Sequence, residues 1–174
     1  MKTLIVYYSG SGSNKALAEN LAGRMNANVE EIKGGPGMAG IGRMVNVFEA
    51  FLGLGSGIGK PEHDPGGYDL FVLVSPVYAM GIPPQVRGYL NRFRGKIRSM
   101  AIASVSGSGN NPKAIGGMER LAGKKAVAVL ELKAVEDKTS KEKKTFPKLT
   151  AKDLEKQEYG AKIDAFVEAV RKGF

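Results

Sequence analysis

Apolar residues recur along this chain as short runs, and the segments between the runs carry apolar positions three and four residues apart. Short runs of apolar and β-branched residues predict buried strands, whereas the spacing of three and four predicts amphipathic helices. Strands are predicted at residues 3–8, 28–33, 69–75, 99–105 and 125–132. Helices are predicted at residues 15–25, 85–93, 112–121 and 151–171.

The alternation of strands and helices predicts the fold class. Strands that are apolar throughout are buried on both faces, and helices between them can cover both faces of a parallel sheet. The prediction is a three-layer, doubly wound α/β sandwich with a five-stranded parallel sheet. The 174 residues fit one domain, spanning residues 1–174.

Two segments depart from this pattern. Residues 34–59 carry apolar positions at helical spacing between two glycine-rich stretches. They are interpreted either as the second helix of the sheet or as a mobile flap or dimer surface hinged on the glycines. Residues 133–149 form a highly charged connector before the closing helix.

Three loops are candidates for ligand binding. In doubly wound sheets, ligands bind beyond the carboxyl ends of the strands, where the strand order reverses. That rule selects the loops Ser9–Asn14, Pro76–Pro83 and Ser106–Asn111, all rich in Gly, Ser, Asn or Pro. Three such loops at the required places are stronger evidence for a site than any one of them.

The first loop has the chemistry of a phosphate-binding loop. It lies between a strand and a helix, where glycines admit an anion to the backbone and the helix N-terminus favours negative charge. The candidate residues are Ser9, Ser11, Gly12, Ser13 and Asn14. The alternative is an ordinary strand-to-helix turn whose polar residues cap the helix. The sequence excludes a P-loop and a dinucleotide fingerprint, since Ser13, Asn14 and Lys15 stand where those motifs need other residues.

The composition limits which cofactors, metals and partners the chain can use. The chain contains no cysteine, so any redox role depends on a bound cofactor. The one histidine, His63, is interpreted as a solvent-exposed loop residue, and no metal site is expected. The formal charge of +9 indicates an anionic partner or simply solubility. No aromatic residues interleave the basic segments as in a single-strand binding surface, so nucleic acid is not expected as a partner.

No run of residues approaches the roughly 20 apolar residues that a membrane-spanning helix needs. The short apolar run near the N-terminus is also too brief for a signal peptide. We therefore expect a cytoplasmic protein without a membrane span.

With these motifs in view, the chain resembles the flavodoxin family over essentially its whole length. Ser9-Gly10-Ser11-Gly12-Ser13-Asn14 is similar to the family's first loop, which binds the phosphate of flavin mononucleotide (FMN). Asn14 stands where the family has a threonine. The asparagine keeps a hydrogen-bond donor at this position but changes its reach. The resemblance implies the strand order 2-1-3-4-5 and FMN as the cofactor.

The other two loops extend the resemblance. Residues 75–84 resemble the family loop in which an aromatic side chain flanks the flavin ring and backbone groups meet its N5 edge. The candidates there are Pro76, Val77, Tyr78, Ala79, Met80 and Gly81, with Tyr78 as the stacking residue. In the third loop the candidates are Ser106, Gly107 and Gly109. That loop lacks the second aromatic of many flavodoxins, so the resemblance implies that one flavin face is open or covered by a neighbouring segment.

Three functions follow from this reading. The favoured one is an FMN-binding protein in electron transfer, with a redox partner protein that the basic surface suggests is acidic. The open third loop suggests the second, an FMN-dependent reductase that uses NAD(P)H and a quinone. The replacement at Asn14 suggests the third, an anion-binding module without redox activity. Monomer and homodimer both remain open.

Overall fold

The computed structural model describes residues 1–34, 58–78, 81–134 and 148–174. Its strands form one parallel sheet in the order β2-β1-β3-β4-β5, which confirms the predicted fold class and strand order. The strands are β1 Thr3–Tyr7, β2 Asn28–Glu31, β3 Leu70–Val74, β4 Ser99–Ser106 and β5 Ala126–Lys133.

Helices cover both faces of this sheet. They are α1 Ser13–Met25, α2 Pro84–Phe93, α3 Pro112–Ala122, α4 Ala151–Leu154 and α5 Gln157–Lys172. A 3₁₀ turn, Pro65–Gly67, precedes β3. Among the described residues, no helix has the length and apolar character needed to cross a membrane.

The core lies in two layers because successive strand residues point to opposite faces. Ile5 and Val72 belong to the layer that packs against α1, α4 and α5. Leu4 and Phe71, their neighbours in sequence, belong to the layer under α2 and α3. All four side chains are buried, as a sheet covered on both faces requires.

The predicted closing helix at 151–171 is wrong in one respect, because the structure divides it into α4 and α5. The backbone at Lys156 is extended, with φ −62° and ψ 142°. Leu154 and Tyr159 are both buried in the same core layer. In a continuous helix, residues five apart point about 140° away from each other. The break allows both side chains to face the core.

The prediction for His63 also needs correction, since its side chain is only 27% exposed. The buried carboxylate of Glu30, on β2, accepts hydrogen bonds from the backbone N–H groups of Glu62 and His63 at 3.0 and 2.9 Å. The Nδ1 atom of His63 lies 3.1 Å from the same carboxylate. A buried carboxylate needs such donors, which draws His63 against the sheet edge.

The two irregular segments lie largely outside the described residues, which omit 35–57 and 135–147. The helix-or-flap interpretation of the first and the connector interpretation of the second therefore remain predictions. At the ends of the first, Gly34 and Ile58 form an antiparallel bridge, and the Gly59 N–H donates to the Lys33 carbonyl at 2.9 Å. These contacts bring the two ends of that segment together beside β2.

Candidate functional site

The three candidate loops begin side by side at the carboxyl edge of the sheet. Tyr7, the last residue of β1, pairs with Val74, the last residue of β3, and Val74 pairs with Ala103 of β4. Beyond the strands, the Tyr8 N–H donates to the Val74 carbonyl at 3.0 Å. The chain order reverses between β1 and β3, so this is the switch point where ligands bind in such sheets.

Several backbone N–H groups of the first loop have no hydrogen-bond acceptor among the described residues. Gly12, at φ +90°, is the residue that precedes α1, and no side chain in the described part of the chain caps this helix. The Ser9 hydroxyl accepts the Gly12 N–H at 3.0 Å and so closes the turn. Within the part of the chain that the structure describes, no acceptor lies opposite the N–H groups of Gly10, Ser11, Ser13, Asn14 and Lys15. Unpaired N–H groups at a helix N-terminus are suited to binding an anion.

The side chain of Asn14 lies beneath this loop and bonds to β4. Its Oδ1 accepts the Val105 N–H at 2.9 Å, and its Nδ2 donates to the Val105 carbonyl at 3.3 Å. Asn14 is only 2% exposed. A contact from this amide to a phosphate would require breaking these bonds. The phosphate contact of the Asn14 side chain thus remains a prediction, while the structure gives the side chain a positioning contact.

Ser13 makes a similar inward contact. Its hydroxyl accepts the Leu149 N–H at 2.9 Å, just before α4. The Ser11 hydroxyl in turn donates to Ser13 at 3.4 Å, and Ser11 itself is exposed. The start of α1 is therefore held from two sides, by β4 through Asn14 and by the segment before α4 through Ser13.

The second loop presents Tyr78 to solvent, with 47% of its surface exposed. Tyr78 and Gly81 exchange backbone hydrogen bonds of 3.2 and 2.8 Å, and Gly81 has φ +94°. Pro76 is buried and Val77 is half-buried behind Tyr78. Ala79 and Met80 lie outside the described residues, so their predicted roles stay predictions.

Two tyrosines connect the second loop to the first. A Cβ atom built on Gly10 would lie 2.9 Å from the Tyr78 hydroxyl, so the phenol reaches the backbone of the first loop. Partial burial raises the pKa of Tyr78, and neighbouring Tyr8 adds to this effect. Burial likewise raises the pKa of Tyr8. Both phenols are therefore neutral near pH 7. Sequence reasoning missed Tyr8, although its place directly before Ser9 was a usable signal.

The third loop is closed by its own hydrogen bonds. The Ser106 hydroxyl accepts the Gly109 N–H at 3.0 Å and the Asn111 side-chain amide at 2.8 Å. The Asn111 N–H donates to Glu131 on β5 at 2.7 Å. Sequence reasoning missed this use of Asn111 and Glu131, since nothing in the pattern of β5 marks Glu131 as a partner of the loop.

Gly109 and Gly107, both predicted site residues, have different surroundings. Gly109 has φ +65°, and a Cβ there would lie 2.8 Å from the Lys133 Cβ and 3.1 Å from the Lys133 N and Cα. Gly107 is exposed, with open space around the same position. Gly109 thus allows the loop to pack closely on β5. Among the described residues, no cluster of His, Cys, Asp and Glu could hold a metal ion.

No family model matches this chain, and no curated protein matches its sequence. Solved structures do resemble its fold. A flavoprotein from Lactobacillus acidophilus, solved in complex with FMN, has a TM-score of 0.57 and 26% identity over 74% of this chain and 91% of its own. Flavodoxin 2 from Bacillus cereus has a TM-score of 0.58 and 14% identity, with both chains fully covered. A putative flavoprotein from Bacteroides eggerthii has a TM-score of 0.62 and 14% identity over 95% of this chain and 98% of its own. The two at 14% identity show the fold alone.

Proposed function

Because the chain has the flavodoxin-like fold, we propose that it binds FMN noncovalently and transfers electrons to or from a partner protein in the cytoplasm. The Lactobacillus acidophilus flavoprotein, 26% identical and solved with FMN, supports the choice of cofactor. The chain has no cysteine, so a bound cofactor would have to supply any redox chemistry.

One observation carries this proposal: unpaired N–H groups of the first loop lie beside an exposed aromatic side chain of the second. The N–H groups at the start of α1 suit a phosphate, and Tyr78 suits the face of a flat ring. The Tyr78 hydroxyl near Gly10 shows that the two loops are in contact. The residues present therefore fit both ends of FMN.

Each part of the site has a distinct task in this proposal. The loop from Ser9 to Lys15 holds the phosphate through backbone N–H groups and exposed hydroxyls. Tyr78 covers one face of the ring, and the backbone from Tyr78 to Gly81 contacts its edge. Asn14 and Ser13 hold the loop in position from beneath. Bound FMN supplies the electron-transfer chemistry, while the chain binds and orients it.

The first experiment compares FMN with riboflavin, which has the same ring and lacks the phosphate. The protein is desalted after incubation with each compound, and visible absorption measures what it retains. Fluorescence quenching then gives each Kd. We expect FMN to bind at least about tenfold more tightly, since a hydrogen bond to a charged group contributes about 1.5–3 kcal/mol. Equal affinities for the two compounds would contradict a phosphate role for the first loop. Retention of neither compound would support the alternative of a non-redox anion-binding module.

A second experiment tests Tyr78 with the variants Y78A and Y78F. Loss of stacking in Y78A should weaken FMN binding by about 0.5–1.5 kcal/mol, whereas Y78F keeps the ring and should bind as the wild type does. The half-exposed side chain can be truncated with little cost to folding. Equal FMN affinities of Y78A and the wild type would show that Tyr78 does not stack on the flavin ring.

The reductase alternative rests on the third loop, which brings no aromatic side chain to the site. A ring covered on one face by Tyr78 would leave the other face to a nicotinamide or a quinone. Steady-state oxidation of NADH and NADPH with a quinone acceptor separates the two functions. Turnover of either nicotinamide by the FMN-loaded protein would favour the reductase, and no turnover would favour the electron carrier.

A further inference from the structure

A groove of about 810 Å³ runs between α2 and α3 on the outer face of the protein. One end lies at Gly81 and Ile82, beside the turn that the backbone hydrogen bonds between Tyr78 and Gly81 close, which we call the Tyr78 turn. The other end lies at Gly123 and Lys124. Helix α3 comes close to Ile82, which lines the groove, because Gly117 has no side chain. A Cβ there would lie 2.8 Å from Ile82 Cδ1. We call this surface the basic groove for the side chains described next.

The basic groove concentrates positive charge. Its cationic side chains are Arg87, Arg94, Lys113, Arg120, Lys124 and Lys125. Among the described lining residues, one carboxylate, that of Glu119, is present. It is neutralised locally, because it bonds Lys125 at 2.6 Å and the Ala126 N–H at 3.1 Å. The Lys125 contact holds the pKa of Glu119 below its usual value. Among the described residues, none of the other five cations has a carboxylate within ion-pair distance.

The arginines are spread along the groove. The Arg87 Nε donates to the Ile82 carbonyl at 3.2 Å, which anchors this guanidinium near the Tyr78 turn. Arg94 lies at the opposite end, where its Nε would be 3.4 Å from a Cβ on Gly123. Arg120 borders Gly116 and Gly117 between them. Cations in a row along an open groove match an extended chain of negative charges better than a single compact anion.

We propose that the basic groove docks an acidic segment of a partner protein, an inference that rests on the proposed electron-transfer function. Guanidinium groups pair with carboxylates through two parallel hydrogen bonds, and complementary charge steers and orients a partner. None of the described residues that line the groove is aromatic, so it lacks the stacking surface that single-stranded nucleic acid uses. A partner held here lies beside the Tyr78 turn and therefore beside the proposed flavin.

The test uses fluorescein-labelled octaglutamate as the probe and fluorescence anisotropy as the readout. The groove variant R94E/R120E is compared with K152E/R171E, which reverses the same number of exposed charges on α4 and α5. We expect R94E/R120E to bind at least about tenfold more weakly than the wild type, and K152E/R171E to stay within about threefold. Binding should weaken as the salt concentration rises from 20 to 200 mM, because the Debye length falls and reaches about 10 Å at 0.1 M. Should a charge-reversed variant fail to fold by circular dichroism, R94Q/R120Q and K152Q/R171Q replace the pair.

Two outcomes would overturn the proposal. Equal losses in the two variants would mean that net charge alone binds the probe. Labelled (dT)₈ that binds the wild type more tightly than octaglutamate, and whose binding is lost in R94E/R120E, would assign the groove to nucleic acid.

FMN affinity is measured on every variant to separate this proposal from the proposed function. Loss of octaglutamate binding with FMN affinity unchanged would place the partner surface apart from the cofactor site. If the wild type retains no FMN, the proposed function fails while the anion preference of the groove can still hold.

Discussion

The first and third loops of the site have similar compositions and the same closing bond, in which a serine hydroxyl accepts the N–H of the glycine three residues later. They differ in where their asparagine side chains bond. Ser9–Asn14 and Ser106–Asn111 both consist of Gly, Ser and Asn residues after a buried strand. In the first loop the buried side chains of Asn14 and Ser13 bond inward to β4 and to Leu149, and backbone N–H groups at the start of α1 have no acceptor among the described residues. In the third loop the Ser106 hydroxyl binds the loop's own N–H and amide groups.

The difference lies in which part of the structure each asparagine side chain holds. Because buried polar groups must be paired, the Asn14 amide bonds to β4 and caps none of the N–H groups at the start of α1, whereas the Asn111 amide bonds to Ser106 in its own loop and to Glu131 on β5. The first loop is therefore suited to an anion. The third loop is held against β5, and the FMN contacts predicted for Ser106, Gly107 and Gly109 stay predictions. Each of the following predictions tests one side of this comparison.

The largest expected effect is that of N14A in the first loop. Removal of the Asn14 amide leaves the buried Val105 N–H without its acceptor and deletes a second bond to the Val105 carbonyl. An unsatisfied buried donor costs about 1–3 kcal/mol, so we expect a total loss of about 2–4 kcal/mol in the free energy of unfolding. Chemical denaturation of the cofactor-free protein, followed by circular dichroism, measures this loss.

The matched control for N14A is N110A in the third loop. Asn110 is exposed, so N110A should change the free energy of unfolding by less than about 0.5 kcal/mol. If N14A instead folds as stably as the wild type and loses FMN affinity, Asn14 is a direct phosphate ligand. The positioning role argued from the Val105 contacts would then be wrong.

The second prediction concerns G109A in the third loop. A side chain at φ +65° costs about 1 kcal/mol, and its Cβ would press on the Lys133 backbone at 3.1 Å. We expect the free energy of unfolding to fall by about 2 kcal/mol in total. The matched substitution G107A adds the same methyl group in open space and should lie within about 0.5 kcal/mol of the wild type. Equal stabilities of G109A and G107A would show that the third loop does not depend on its close packing against β5.

The strands and most helices were predictable because they depend on local patterns. Leu70–Val74 is apolar throughout, and such a run in a covered sheet can only be a buried strand. The division of the closing helix was not predictable in this way. Its cause is that Leu154 and Tyr159 face the same core layer, a tertiary requirement that helical periodicity does not record.

In the site, too, local features were predictable from the sequence and long-range contacts were not. The loops could be predicted, since strand ends and turn residues are local features. The partners of Asn14 and Asn111 could not, because the chain distances of 91 residues to Val105 and 20 to Glu131 leave no trace in local composition. The sequence therefore predicted where the loops lie and which residue types they hold, but not which of their groups remain free.

The third prediction addresses the support beneath the first loop, where the Leu149 N–H bonds Ser13. Thr150 follows Leu149 and caps α4, with its hydroxyl accepting the Asp153 N–H and the Asp153 carboxylate accepting the Thr150 N–H. T150A should lower the free energy of unfolding by about 1 kcal/mol, as expected for loss of an N-cap, and T150S should restore it. Thermal or chemical unfolding of the three proteins measures the effect. A T150S variant as unstable as T150A would point to packing of the threonine methyl group instead of the cap.

The smallest expected effect is a dependence of stability on acid pH through Asp153. The hydrogen bond from Lys156 and those from Thr150 lower the pKa of Asp153 from 3.8 to about 2. Above about pH 5 the carboxylate is ionised in the folded and unfolded chains alike, so its contribution is complete. As the pH falls from about 5 to 2, the unfolded chain takes up the proton first and the contribution is lost. Because the pair is partly exposed, we expect at most about 1 kcal/mol. The difference in unfolding free energy between the wild type and D153N, measured from pH 7 to pH 2, should stay level above about pH 5 and shrink below it. A difference that stays constant to pH 2 would mean that the charge of Asp153 does not stabilise the segment that supports the first loop.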